Sequence, residues 1–352
     1  MQDVDLFRSV GRYRAVRIPA IVAVGEHTLL VVAVGRHAIS DWGPSDLLMR
    51  RSVDGGATWS PQRVLQRGWW RTVDNPTLVV DRAGSIHLFF QTGYRRLWHR
   101  VSTDGGASFG RAIDRSAVVR AASTPAFSLD RFAPGPGTGA LLQSGRLVVP
   151  VWAASGRRHR PSVTLTIVSD DEGQTWRAGD LIAGPGGRFP NPSEATVAPT
   201  HDGGVVLSFR QRAVRRRVFS WSGDGATGWS RPEVNDDLFE PVCHAALAAV
   251  GGRVAFVNPD SRASTAPMLR DGKAPRENLT LRWSSDAGHR WPEQMVLDTG
   301  PSGYASLVVD PTDRLHVVWE YGRLPRTAVW PTSIRYRNLQ PLVDTARRIT
   351  SG

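Results

Sequence analysis

The stretch Ser52-Val-Asp-Gly-Gly-Ala-Thr-Trp59 decides how this chain folds, because it returns. Ser102-Thr-Asp-Gly-Gly-Ala-Ser-Phe109 is a near copy. Ser169-Asp-Asp-Glu-Gly-Gln-Thr-Trp176 and Ser284-Ser-Asp-Ala-Gly-His-Arg-Trp291 follow, and a degenerate copy runs from Ser222 to Trp229. The leading serines at 52, 102, 169, 222 and 284 stand 50, 67, 53 and 62 residues apart. Self-similarity at such a period is the mark of stacked supersecondary units. Each copy reads as a hairpin turn. Its aspartate can accept hydrogen bonds from turn N–H groups. Its glycine can take a positive φ where a side chain would be costly, and its final aromatic can pack into the unit. The repeat carboxylates are therefore read as turn caps, not as catalysts or calcium ligands.

Outward from the repeats lie short alternating segments, LLMRRS, RLWHRVS, VTLTIVS and LTLRWSS. Further strands read at HTLLVVAVG, SIHLFFQ, RLVVPVWAA, GGVVLSFRQ, GRVAFVN and RLHVVWE. Nothing holds a helical period over more than three turns. The pattern predicts an all-β six-bladed β-propeller. Five visible repeats plus blade-like sequence near both ends give the sixth blade, closed by the two termini. No linker or low-complexity segment interrupts the chain, and residues 1–352 are read as one domain.

Composition sets the outer bounds. Hydrophobic residues make up 41% of the 352 residues, enough for a core. No apolar run approaches the roughly 18 residues of a spanning helix, so no membrane insertion is expected. The opening MQDVDLFRSVGRYR lacks the basic start and apolar run of a secretory leader. A place inside the cell and secretion with the leader removed both fit. The net charge of +12 is almost all arginine, with Lys273 the single lysine, and it favours anionic partners. The densest run, Arg210, Arg212, Arg215, Arg216 and Arg217, is the one candidate stripe for nucleic acid, but no nucleic-acid partner is expected. Cys243 stands alone, so it forms no internal disulfide and belongs to no CxxC pair. Its apolar setting, CHAALAAV, predicts a buried thiol.

Three arginines lie beside strands of different repeats: Arg17 in YRAVRIPAIV, Arg210 at the end of GGVVLSFR, and Arg276 before NLTLRWSS. Propeller strands converge on an axis, so the three can meet. They would repel one another unless an anion joined them, and a carboxylate matches guanidinium geometry. Tyr304 in PSGYASLVVD precedes a strand. Glu194 in NPSEATVAP could take a phenolic proton, and Asp41 in GRHAISDWGPSD could serve as a general acid if its pocket raises its pKa. Taken singly, each also has a plain reading as a surface charge, a packing aromatic or a cap.

Taken together these residues resemble the bacterial and animal-type sialidases with Asp-box repeats, from about Tyr13 to Tyr321. The resemblance rests on Val16-Arg17-Ile18-Pro19, on Asp41 before the first box, and on Asp74-Asn75-Pro76. It continues in Glu194 and Arg210, Arg276-Glu-Asn-Leu-Thr280, Gly303-Tyr304-Ala305-Ser306-Leu307 and the strand end Trp319-Glu320-Tyr321. Val16, Ala305 and Phe109 depart from the pattern without removing a reacting group. The resemblance implies an exo-α-sialidase that acts with retention on terminal sialic acids of oligosaccharides, glycoproteins or glycolipids. It implies Tyr304 as nucleophile, Glu194 as its base and Asp41 as acid/base. Arg17, Arg210 and Arg276 would clamp the substrate carboxylate, with Arg36 and Asp74 also facing substrate. It implies no metal or organic cofactor, and a propeller, whose short edges are protected, can be complete as a monomer. A trans-sialidase, with Trp42 as a candidate leaving-group contact, a Kdn- or Kdo-type glycosidase and a non-catalytic sialic-acid-binding lectin stay open as alternatives.

Overall fold

A computed structural model describes residues 3–156, 159–267, 274–323 and 330–339. The strand Thr28–Arg36, TLLVVAVGR, shows why the chain forms stacked sheets: it is buried along nearly its whole length. Val32 and Val34 pack with Leu88 and Phe90 of the following sheet, while Val31 and Ala33 pack with Leu6, Val318 and Ile334 of the preceding one. Alternate residues of a strand face opposite ways, so an apolar residue at every position means a sheet covered on both faces. Each such burial contributes roughly 1.5–3 kcal/mol for a Val, Leu, Ile or Phe side chain.

The fold is all-β, and among the described residues its one helix is the five-residue Ser116–Arg120. Four sheets have the size of propeller blades. They begin at the strands Ala15–Val24, Val73–Val80, Leu147–Ala154 and Ala195–Pro199, and contain four, five, five and four strands. Small strands from the long connections, such as Gly137–Thr138 and Arg131–Pro134, add to the two larger ones.

The expected count of six blades is not what the chain makes. It makes four blades and a separate seven-stranded sheet, in which the strands starting at Ala246, Arg253, Glu277, Glu293, Leu315, Ser333 and Val4 lie side by side. The reason is the strand Glu293–Val309, 17 residues long. Its first half pairs with Glu277–Ser284 and its second half with Leu315–Tyr321. Gly300, Pro301 and Gly303 look like breakers in sequence. Here they fall at the register shifts, where proline and glycine are tolerated inside a strand. Val4–Arg8 pairs with Ser333–Leu339, but within the seven-stranded sheet and not as a sixth blade closed by the termini.

The repeats form the turns anticipated for them. In the first, Ser52 Oγ donates to Asp54 Oδ1 at 2.7 Å, Gly56 N donates to Ser52 Oγ at 2.8 Å, and Thr58 N donates to Asp54 Oδ1 at 2.9 Å. The fourth copy repeats these bonds through Ser284, Asp286, Gly288 and Arg290. Gly56 has φ 90°, and a Cβ there would lie 1.9 Å from the Tyr336 hydroxyl of the seven-stranded sheet. The box is thereby docked on its neighbour. Among the described residues no helix is long and apolar enough to cross a membrane. Cys243 is buried, and burial pushes its thiol up to about 12.

Candidate active site

The residues singled out by sequence gather where the innermost strands end. Arg17 and Asp74 occupy equivalent places on the strands Ala15–Val24 and Val73–Val80. Each precedes a register shift and a residue of positive φ, Ile18 at 54° and Asn75 at 55°. Such bulges re-aim side chains. A β-branched residue held in the left-handed region costs about 1–3 kcal/mol, and the chain carries that strain beside the residues that would do the chemistry.

Glu320, only 1% exposed, ties this corner together. Its Oε1 accepts from Arg17 Nε at 2.9 Å and from Ile18 N at 3.0 Å, while Oε2 accepts from Tyr304 N at 3.1 Å. A Cβ at position 303 would lie 2.2 Å from Glu320 Oε2, so Gly303 makes room for the carboxylate. Sequence reading noted Glu320 only as a strand end. Its partners all lie earlier in the chain, two of them 302 and 303 positions away and the third 16, and no local spacing announces that.

Tyr304 is 5% exposed. Its hydroxyl donates to Glu194 Oε1, and Arg210 Nη1 donates to Glu194 Oε2 and, at 2.7 Å, to the Tyr304 hydroxyl. Burial raises the phenol pKa well above its ordinary value, and Glu194 adds to this. The pull of Arg210, Arg276 and Arg17 does not overcome it. The phenol therefore rests neutral.

Asp41 sits on the facing loop with 57% of its side chain exposed. Its Oδ1 lies 3.3 Å from Arg17 Nη1 and 3.4 Å from Arg36 Nη2. Withdrawal from water works to raise its pKa, but the guanidiniums of Arg17, Arg36, Arg210 and Arg276 outweigh that and hold it below the ordinary carboxylate value. The protein's own groups therefore do not meet the condition of a raised pKa that the general-acid reading set. Arg36 is braced by Ser40 O at 2.7 Å and by the carboxylate of Asp74. Burial pushes Asp74 up, against the pull of Arg36 and the Asn75 N–H.

Arg17, Arg36, Asp41, Glu194, Arg210 and Tyr304 all line one pocket of about 250 Å³. Arg276 borders a smaller recess next to Ser302 and Glu320. Its guanidinium carbon lies 5.4 Å from the Tyr304 ring centre, and Nη2 donates to Val242 O at 2.7 Å. Its Nε and Nη1 are buried with no hydrogen-bond partner among the described residues. Trp330 lies over the Arg17 and Arg36 guanidiniums, 5.0 and 5.8 Å from its ring centre. Of a further, aromatic wall only Trp42 was visible in the sequence. Trp42 packs on Tyr94 and His159 at ring distances of 5.2 and 4.6 Å, and Trp152 packs on the same two rings. Tyr94, Trp152 and His159 come from separate loops and strands, so nothing periodic joins them. The dense arginine run is not one basic surface: Arg217 is fully buried, bonded to Glu240, Ser208 and Cys243 O.

The fold and site define a class: a β-propeller protein whose pocket joins several arginines to a tyrosine–glutamate pair and a facing aspartate. A family model described as a BNR repeat-like domain matches residues 27–317, and the chain belongs to this sialidase/BNR-repeat family. It is 28% identical to a sialidase of Micromonospora viridifaciens over 92% of this chain and 51% of that protein, so it spans about half the length of that relative. Sialidase-3 of Bos taurus is 33% identical over 83% of this chain and 82% of its own. The solved Hadza microbial sialidase Hz136 superposes with a TM-score of 0.75 at 22% identity, covering 94% of this chain and 66% of that one.

Proposed function

We propose that residues 1–352 form one catalytic domain, a retaining exo-α-sialidase that releases terminal sialic acids from oligosaccharides, glycoproteins or glycolipids. The observation that carries this is the Tyr304 hydroxyl held between Glu194 and Arg210, with Asp41 lining the same pocket. Arg17, Arg210 and the unpartnered donors of Arg276 supply charge-assisted hydrogen bonds for the substrate carboxylate. Clamping that group beside the anomeric carbon fixes the ring and stabilises the charge that develops there.

A carboxylate nucleophile would approach an anomeric carbon that already bears an anion. The neutral phenol of Tyr304 avoids part of that repulsion. Tyrosine-nucleophile sialidases are a recognised exception to the two-carboxylate rule for glycosidases. As Tyr304 Oη attacks the anomeric carbon, Glu194 takes its proton and Asp41 protonates the departing glycosidic oxygen. In the second step Asp41 takes a proton from water, whose oxygen displaces Tyr304, and Glu194 returns the proton to the phenolate. Two inversions give retention. The arginines hold Asp41 below the ordinary carboxylate value, so it must gain its proton as substrate binds. The substrate carboxylate supplies the means, because it cancels part of the arginine field that depresses Asp41.

The test is hydrolysis of an aryl α-glycoside of N-acetylneuraminic acid followed by NMR. The α anomer of free sugar appearing first is the expected result. The β anomer first, or no hydrolysis, contradicts the reading. Parallel reactions with the Kdn glycoside and with added lactose separate a Kdn glycosidase and a trans-sialidase from a hydrolytic sialidase.

A further inference from the structure

Arg217 and Glu240 form an ion pair in which both side chains are 0% exposed. Arg217 Nη1 donates to Glu240 Oε2 at 2.6 Å. Taking two charges fully out of water is costly, and a well-packed apolar pair of similar size is often at least as stable. Stability alone therefore does not explain why the chain buries charge here. The other partners of the pair do. Glu240 Oε1 accepts from Cys243 N at 2.9 Å, and Arg217 Nη1 also donates to Cys243 O at 3.1 Å. Glu240 N donates to Arg215 O at 3.3 Å. The pair thus grips both backbone groups of Cys243 and closes Glu240-Pro241-Val242-Cys243 into a fixed turn. Val242 within it has φ 63°, a conformation that a β-branched residue rarely adopts.

This turn connects two arms of the candidate site. Arg217 lies on the strand Arg216–Ser222, which pairs with Val205–Phe209, and that strand leads directly into Arg210. Arg217 Nε donates to Ser208 Oγ at 3.1 Å, two residues before Arg210. On the other side, Val242 O accepts from Arg276 Nη2 at 2.7 Å, while Arg276 Nε and Nη1 have no partner among the described residues. A continuous set of bonds therefore runs from the strand of Arg210 through Arg217, Glu240 and the turn to the guanidinium of Arg276. The corner at Arg17 is built alike. There the buried Glu320 takes both Arg17 and the N–H of Ile18, itself left-handed and β-branched. Arg210 and Arg276 carry the same charge and repel, so a set distance between them needs a rigid connection. We propose that Arg217 and Glu240 are positioning residues: their ion pair sets the left-handed turn at Val242, and through its carbonyl the place of Arg276 relative to Arg210. That the two arginines close on a substrate carboxylate rests on the sialidase reading above; the bond path between them does not.

The first test needs no ligand. Arg217→Met/Glu240→Met removes both charges at similar volume, so the chain should fold with a melting midpoint close to that of the wild type. A crystal structure of this variant should show Arg276 Nη2 released from Val242 O. The bond kept as in the wild type would overturn the proposal. The second test is kinetic. On an aryl α-glycoside of N-acetylneuraminic acid, kcat/KM should fall about tenfold, chiefly through KM. In an Arg276→Gln background the same two changes should cost less than about twofold, because the turn then has no arginine to place. Equal losses in both backgrounds would make the pair a packing element, and no loss in either would make it scaffold alone; both results overturn the proposal. If the apolar pair does not fold, Arg217→Lys takes its place. It keeps the charge opposite Glu240 without the planar fork that reaches Ser208 and Cys243 O together. Its loss should be about threefold and should vanish with Arg276→Gln; an equal loss in both backgrounds, or none, again overturns the proposal. Wild-type protein that hydrolyses no sialoside defeats the sialidase reading, while the structure of whichever variant folds still decides the positioning role.

Discussion

The box turns and the pocket both depend on carboxylates, and they use them in opposite ways. In the boxes, Asp54, Asp104, Asp171 and Asp286 bond to groups two to four residues away in sequence. The pocket carboxylates reach across the molecule: Glu320 to Arg17 over 303 positions, and Glu194 to Tyr304 over 110. The box aspartates are satisfied by local N–H and hydroxyl donors that no substrate would displace. In the pocket, carboxylates face guanidiniums, with donors on Arg276 left over. A repeat closed on itself builds the scaffold, and groups collected from distant repeats leave charge for a ligand to complete.

That contrast breaks most directly at Tyr304. Tyr304→Phe keeps the ring beside Arg17 and Arg276 and removes the oxygen proposed as nucleophile, so retaining turnover on aryl sialosides should fall on the order of a thousandfold or more. Binding of free sialic acid, followed by calorimetry, should persist. Asp41→Asn should cost about 10²–10⁴-fold on sialyl-lactose, and much less on a substrate whose leaving group needs no proton. Steady-state rates on the two substrates check this.

Glu320→Gln probes positioning. It leaves Arg17 facing a neutral amide in a buried site, and breaking such a pair costs about 3–5 kcal/mol of stability. Misplacing the clamp and Tyr304 together should lower kcat/KM by about 10²-fold. A packing role alone would lower the melting midpoint and leave kcat/KM intact.

The smallest effect belongs to the boxes. Asp54→Ala should leave kcat unchanged and shift thermal melting by only a few degrees. Thr58 and Ser52 hold the Asp54 carboxyl at about 2, below its ordinary 3.8. Its contribution is therefore complete above about pH 4 and is lost as pH falls through about 2. Wild-type melting should drop across that window, and the drop should be smaller in the variant.

The same contrast explains what could be read from sequence. The boxes are local, so their turns and flanking strands, LTLRWSS and RLHVVWE among them, were legible from one stretch and its copies. Arg17, Asp41, Glu194, Arg210 and Tyr304 could be singled out, and the structure brings them to one pocket. Arg276 borders the adjoining recess, its guanidinium carbon 5.4 Å from the Tyr304 ring centre. Glu320 was passed over because its role exists only across the closed sheet. The blade count failed at Gly300–Gly303, where residues that usually end strands sit inside one, with the Glu320 carboxylate occupying the space left by Gly303. The depressed pKa of Asp41 was illegible for a related reason: it is set by four arginines drawn from separate parts of the chain.

If Tyr304 is the nucleophile, its Oη becomes bonded to the anomeric carbon of the sugar. The direct measurement is to incubate the protein with a 2,3-difluoro sialic acid, whose good leaving group lets a glycosyl-enzyme form while the second fluorine slows its hydrolysis, and to map the adduct by peptide mass spectrometry. One sugar is expected on the peptide that contains Tyr304, attached at that residue and absent from Tyr304→Phe. Attachment at Glu194 or Asp41, or full turnover with no covalent species, would contradict it.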